Sequence, residues 1–283
     1  MINNNLNCSK MSIYLFGLKL GLFSIFKKDF YIGVKRLILP VNYWRVSIFN
    51  IVCKFILNEF NNKKNMKILD IGSPKLLALY LAKKTNCLLY ATDLSDPALF
   101  KEWNRYYNNI TNKSNLIFNY ANAKSLPYPD NYFDIVYSLS VIHMITPGSY
   151  GDIIAVKEIV KKVKSNGIFI IEVPYRTKYS EIYAHKSNFE EVYTGKPLFQ
   201  ERQYDEEALK DRIEKNIPGI LIKKVYLYEL LQIDSMWWKL PKLIRDLFSP
   251  IEAWLDIFNI KIAIKKEQIK KAKSVILFFK ISK

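Results

Sequence analysis

Three short stretches hold side chains able to do chemistry: "LDIGSPK" (69–75), "ATDLSDP" (91–97) and "NAKSLPYPDNYFDIVYSLSVIH" (122–143). The first offers Asp70, a lone Gly72 and then Ser73, Pro74 and Lys75. A glycine turn that runs into a helix can present backbone N–H groups to an anion. The second offers Asp93 and Leu94, and a carboxylate at a strand end can accept hydrogen bonds from both hydroxyls of a sugar. The third carries Asn122 and Ala123, then Ser138 and Leu139, and finally His143. His143 and His185 are the only histidines, so imidazole chemistry has two candidates. Cys8, Cys53 and Cys87 lie far apart, with no CxxC or Cys/His spacing, which indicates neither a zinc site nor a disulfide framework. That cysteine usage fits a reducing, cytoplasmic setting.

The elements that must position these residues read as alternating strand and helix. Short apolar runs predict strands at Lys67–Ile71, Leu88–Thr92, Asn115–Tyr120, Phe133–Leu139 and Gly167–Val173, the pattern of parallel strands covered on both faces. Helices are expected over Asn42–Phe60, Pro74–Lys84, Pro97–Asn108 and Gly151–Lys164. Ser73 is expected to cap the second of these with Pro74 as its first residue, and "KSNG" to stop the last on a glycine. Such alternation predicts a doubly wound α/β sheet, with ligands at the C-terminal ends of the strands. Residues 175–215 turn polar and tyrosine-rich. Two late strands, Gly219–Glu229 and Ser274–Ser282, flank a helical insert. In its "SPIE", Ser249 is expected as N-cap, Pro250 as first residue and Glu252 as capping-box partner.

The three stretches together resemble class I S-adenosylmethionine-dependent methyltransferases of the Rossmann-like, small-molecule type. Their signature reads D-x-G-x-G-x-G, an acidic residue, then D-A-x-x-L-P-F-P-D-x-x-F-D. "SLPYPDNYFDIVYS" is the most specific part, and the motifs span about residues 65–175. The resemblance implies a mostly parallel seven-stranded sheet with a C-terminal antiparallel hairpin and helical or aromatic lid insertions. It divides the chain into an apolar helical lid at 1–60 and a methyltransferase domain at 61–283, with insertions at about 175–215 and 231–273. It also implies S-adenosyl-L-methionine as cofactor. Asp70, Gly72 and Ser73 would lie by its methionine part, Asp93 on the ribose, and Leu94, Asn122 and Ala123 around the adenine. Ser138 and Leu139 would form the floor under the methyl. Pro74 and Leu76 replace the second and third glycines, so Lys75 is expected to pair with the methionine carboxylate. Tyr43 and Arg45 are expected to close over the cofactor, and His143 and His185 to serve as base or substrate contact. The family's histidine position after the fourth strand is Met144 here.

The formal charge of +17 admits nucleic acid, an anionic membrane surface or acidic ligands as partners, although the lysines are spread along the chain. The apolar stretch 11–26 is too short and interrupted for a spanning helix, which needs ~20 apolar residues. It reads either as a helix packed on the core or as a segment touching a membrane. An apolar N-terminus, a tyrosine-rich roof and Trp237–Trp238 favour a hydrophobic or aromatic small acceptor, such as a lipid or quinone-like molecule. Methyl transfer to RNA and a non-catalytic binding protein of the same fold are the alternatives. No RNA-binding module is visible.

Overall fold

The computed structural model describes residues 8–63, 65–94, 97–184, 196–233 and 240–283. His185, Asp96, Tyr193 and Trp237–Trp238 lie outside the described residues. Three helices come first: α1 (Lys10–Phe26), α2 (Phe30–Ile38) and α3 (Arg45–Asn62). The sheet then begins with β1 (Lys67–Ile71), α4 (Leu76–Lys84), β2 (Leu88–Asp93), α5 (Pro97–Ile110), β3 (Leu116–Tyr120) and β4 (Phe133–Leu139). After these come α6 (Gly151–Lys162), β5 (Val163–Pro174), and a separate hairpin of β6 (Ser180–Ala184) and β7 (Leu198–Gln203). The remaining elements are the one-turn α7 (Glu206–Ala208), β8 (Gly219–Glu229), α8 (Lys242–Asn259), β9 (Ile260–Ile262), α9 (Lys266–Lys270) and β10 (Ser274–Ile281).

The large sheet runs β3-β2-β1-β4-β5-β10-β8-β9. Pairings among its first five strands are parallel, whereas β10 pairs antiparallel with both β5 and β8. The doubly wound α/β reading and the late antiparallel pair are therefore correct. The strand count differs, because β9 adds an eighth strand beside β8. Alternating side chains serve two cores. Ile68, Leu89, Ile135 and Tyr137 pack with α1, α3, α4 and α5, while Leu69, Ile71, Val136 and Phe169 pack with α6. Strands buried on both faces need apolar residues at both parities, which is why their sequences read as unbroken apolar runs.

Local starts and stops depart from the sequence expectation in three places. α4 begins at Leu76 with Lys75 as N-cap, not with Ser73 and Pro74. The Ser73 hydroxyl is engaged elsewhere, accepting the Leu139 N–H at 2.8 Å, so the turn runs on before the helix starts. α6 ends at Lys162, and the left-handed residue after it is Asn166 (φ 60°) rather than Gly167. Asparagine tolerates that backbone region through its short polar side chain. Finally, Ser249, Pro250 and Glu252 sit inside α8 instead of opening a helix. The proline costs one backbone hydrogen bond. The helix persists because Ser249, Glu252 and Asp256 on one side of it are buried, and Asp256 Oδ2 accepts the Ser47 N–H of α3 at 3.3 Å.

Candidate active site

The strand order reverses at β1, with β2 on one side and β4 on the other, and open α/β sheets bind ligands in the crevice at such a point. Gly72 makes the turn out of β1 with φ 64°, donating its N–H to Thr92 O at 2.8 Å. A Cβ there would lie 2.9 Å from Val141 Cγ1, so only glycine lets the β1 and β4 turns approach. Ser138 donates to Ile71 O at 3.1 Å and, with the Ser73–Leu139 bond, latches β4 to the same turn. Ser138 and Leu139 are thus fully buried and tied to the β1 turn.

Asp70 is fully buried and accepts the Ser73 N–H at 3.1 Å. Burial pushes its carboxyl up to about 6, against the opposing pull of Lys75 and the Ser73 hydrogen bond. Lys75 does not reach outward to a ligand carboxylate, as the sequence led us to expect. Its side chain is only 2% exposed and folds under the turn. The ammonium donates to Ser73 O at 2.7 Å and Thr92 O at 2.8 Å, and lies 3.3 Å from Asp70 and 3.4 Å from Asp93. A buried ammonium needs such partners, and two carboxylates with two carbonyls supply them. Lys75 therefore ties the ends of β1 and β2 together.

Asp93 closes β2 with its side chain still 21% exposed, and Leu94 beyond it is exposed. The end of β3 is joined to it through Ala121 N–H to Asp93 O at 3.0 Å. Asn122 then accepts the Lys124 N–H at 2.9 Å, which fixes the loop that carries Ala123. The structure thus brings Gly72, Asp93, Leu94, Asn122 and Ala123 to the C-terminal ends of adjacent strands.

A cavity of about 620 Å³ opens over the ends of β4 and β5. Trp44, Arg45, Ser140, His143, Glu172 and Glu201 are among the residues that line it. Trp44 (φ 71°) and Ser140 (φ 57°) both hold left-handed backbone. Such strain in residues other than glycine and asparagine gathers at functional sites, and two of the three such residues described, all but Lys28, face one cavity. Arg45 reaches the residue beside Val141, which packs on the Gly72 turn. It donates to Ser140, whose hydroxyl donates in turn to Glu172, and Ser274 donates to the other Glu172 oxygen at 2.5 Å. Tyr43 donates to Glu229 at 2.9 Å and accepts from Asn259 at 2.5 Å.

His143 stands in a 3₁₀ turn (Ile142–Met144) after β4. Its imidazole is buried, and Nδ1 has no hydrogen-bond partner among the described residues. Burial, reinforced by the Arg45 and Arg202 charges, pushes it down to about 3, so the ring is neutral at physiological pH. Arg202 supports this turn from β7. Fully buried, it donates to His143 O, Ile145 O, Pro147 O and Gly148 O, at 2.6–3.3 Å. Sequence reading missed Arg202, Glu172, Ser140 and Trp44. Only Glu172 left a signal, as a lone acid within the apolar run "GIFIIEVP".

A pH prediction follows from His143. The unfolded ring binds a proton near 6.5 and the folded ring near 3, so its contribution to stability is present above pH 6.5 and is lost as the pH falls toward 3. Urea midpoints measured between pH 7.5 and 5 should therefore fall less steeply for His143→Gln than for the parent. Asp70 and Asp256, both pushed up to about 6, titrate alike in the two proteins and cancel in the difference. Equal slopes would mean that the folded ring titrates normally.

Residues 69–171 match the family model described as a methyltransferase domain. No curated protein matches the chain in sequence. A putative sarcosine dimethylglycine methyltransferase from Galdieria sulphuraria superposes with a TM-score of 0.52 at 11% identity, covering 84% of this chain and 86% of its own. Coclaurine N-methyltransferase, bound to N-methylheliamine and SAH, superposes with a TM-score of 0.51 at 12% identity, covering 83% of this chain and 70% of its own. At such identities the two structures show a shared fold. Together with the family match over residues 69–171, the fold and crevice make this chain similar to class I S-adenosylmethionine-dependent methyltransferases, whose methyl donor is S-adenosylmethionine. The chain's own residues fit that donor: a part-exposed carboxylate ends β2, and a glycine turn too tight for any side chain ends β1.

Proposed function

We propose that this methyltransferase acts on a small amphiphilic acceptor held in the cavity over β4 and β5. The observation that carries the reading is the cavity itself, which adjoins the latched β1–β4 floor and mixes two kinds of wall. Leu39, Trp44 and Ile48 offer an apolar and aromatic side, while Arg45, His143 and Glu201 offer a polar one. Its volume of about 620 Å³ lies within the range of small-molecule sites.

In this reading Asp93 takes the ribose hydroxyls of the donor, Leu94 and the Asn122–Ala123 loop flank the adenine, and the Gly72 turn meets the methionine end. The donor supplies a sulfonium-activated methyl when bound. The protein's task is to align the acceptor atom with that methyl and exclude water, since alignment alone accounts for much of the rate in such a displacement. The neutral His143, with Nε2 3.7 Å from Glu201, borders the acceptor on the polar side of the cavity. A ring so hard to protonate orients the nucleophile rather than carrying its proton away.

The test supplies methyl-labelled S-adenosylmethionine and a cell extract, followed by separation into lipid, aqueous small-molecule and RNA fractions. Label in a small organic-extractable product is the expected result. Label confined to RNA, or no transfer by a protein that binds the donor, would overturn the reading.

A further inference from the structure

We propose that α8, with α1 and α2, docks the protein on an anionic lipid surface. The motivating feature is the orientation of α8. A surface helix ordinarily turns its apolar stripe toward the core. α8 does the reverse. Ser249, Glu252, Asp256 and Asn259 are buried, whereas Ile244, Phe248, Ile251, Trp254 and Phe258 are each 40–51% exposed. The exposed set follows i, i+4, i+7 spacing and forms one stripe.

Polar bonds hold the helix in this inverted pose. Asp256 accepts from Ser47, Asn259 donates to Tyr43, and Lys10 donates to the carbonyls of Asp256, Ile257 and Ile260 at 2.6–3.4 Å. The Lys10 bonds place the start of α1 against the end of α8. α2 packs against both helices. It crosses α1 where Gly21 and Gly33 meet, a Cβ on Gly21 falling 2.8 Å from Gly33 O. This pair also exposes apolar side chains, at Leu15, Leu22, Phe26, Phe30 and Tyr31.

Charge selects the occupant. Lys19, Lys27 and Lys28 are exposed on α1 and in the turn after it, and neither α1 nor α2 contains an acidic residue. Just past α8, exposed Ile264 is followed by exposed Lys265 and Lys266. Bulky apolar and aromatic side chains rimmed by lysine match the interface of a bilayer that carries anionic headgroups. Among the described residues no helix is long and apolar enough to cross a membrane, so the contact lies on the surface. The inner side of α8, with Arg245, Ser249 and Glu252, forms a wall of the acceptor cavity. One helix thus faces lipid on one side and the acceptor on the other.

The test is flotation of the full chain with vesicles of phosphatidylcholine alone or mixed with phosphatidylglycerol. We expect retention on the mixed vesicles that weakens with salt. Retention should fall at least tenfold in Phe248→Ser/Trp254→Ser and in Phe26→Ser/Tyr31→Ser, but not in Ile220→Ser/Ile222→Ser, which changes exposed apolar residues on β8. Absence of retention would overturn the proposal, as would equal loss in the β8 variant. So would a dimer in sedimentation equilibrium that Phe248→Ser/Trp254→Ser dissociates, because the face would then be covered by a second copy of the chain. Vesicle retention needs neither methyl donor nor acceptor, so its failure and that of the proposed reaction are separable.

Discussion

Lys75→Met should lower the stability of the fold by about 3–5 kcal/mol at neutral pH, the usual result of removing one partner from a buried ion pair. Methionine matches the length of the lysine stem, so packing changes little. What it leaves behind is Asp70, fully buried and already pushed up to about 6, together with the Ser73 and Thr92 carbonyls that lose their donor. The loss should depend on pH, with a defined sign. An acid whose folded pKa lies above its unfolded value withdraws stability as the pH rises through the folded pKa. Without the Lys75 charge that pKa climbs further, so the variant should be closer to the parent at pH 5.5 than at pH 8. Adding Asp70→Asn to Lys75→Met should recover much of the loss, because the amide oxygen still accepts from Ser73 and carries no charge. Urea unfolding at the two pH values measures all of this. A single variant within 1 kcal/mol of the parent, on the same ~3–5 kcal/mol scale, would show that the ammonium is not the pillar described here.

The second large effect concerns the donor. Asp93→Ala should weaken S-adenosylmethionine binding by about 100-fold, since two hydrogen bonds to a charged group together contribute about 3 kcal/mol or more. Asp93 keeps 21% side-chain exposure and shares Lys75 with Asp70, so its removal should cost far less stability than the loss of Lys75. Calorimetric titration gives the affinity and thermal unfolding gives the control. An affinity within threefold of the parent would remove Asp93 from the donor site and shift attention to the cavity beyond Ser140.

Much of the scaffold was legible because a parallel sheet covered on both faces leaves its mark in local composition. β1 and β4 begin and end where their apolar runs do, and Gly72 is the one turn residue that the packing of Val141 permits. Side chains whose role depends on distant partners were not legible. Lys75 reads as a partner for the cofactor's carboxylate until Asp93 folds beside it, and Ser73 reads as a helix cap until Leu139 arrives at its hydroxyl. Arg202 lies in the polar string "FQERQY", and nothing near it in sequence announces the row of carbonyls from His143 to Gly148 that it satisfies. α8 departed for a related reason: "SPIE" reads locally as a helix start, and only distant partners such as Ser47 and Tyr43 show it to be the buried polar side of a longer helix.

The place of β10 in the sheet has a consequence for how the protein is made. This strand pairs with β5 on one side and β8 on the other, yet it is the last of the three to leave the ribosome. At about 5–20 residues per second, several seconds separate the appearance of β8 from that of β10. During that interval two strand edges stand open with no hydrogen-bonding partner between them, and open edges recruit other chains. A nascent chain stalled or cut before Ser274 would therefore be an aggregation hazard as well as an inactive enzyme, and chaperones that shield β-edges would be needed most at that stage of synthesis.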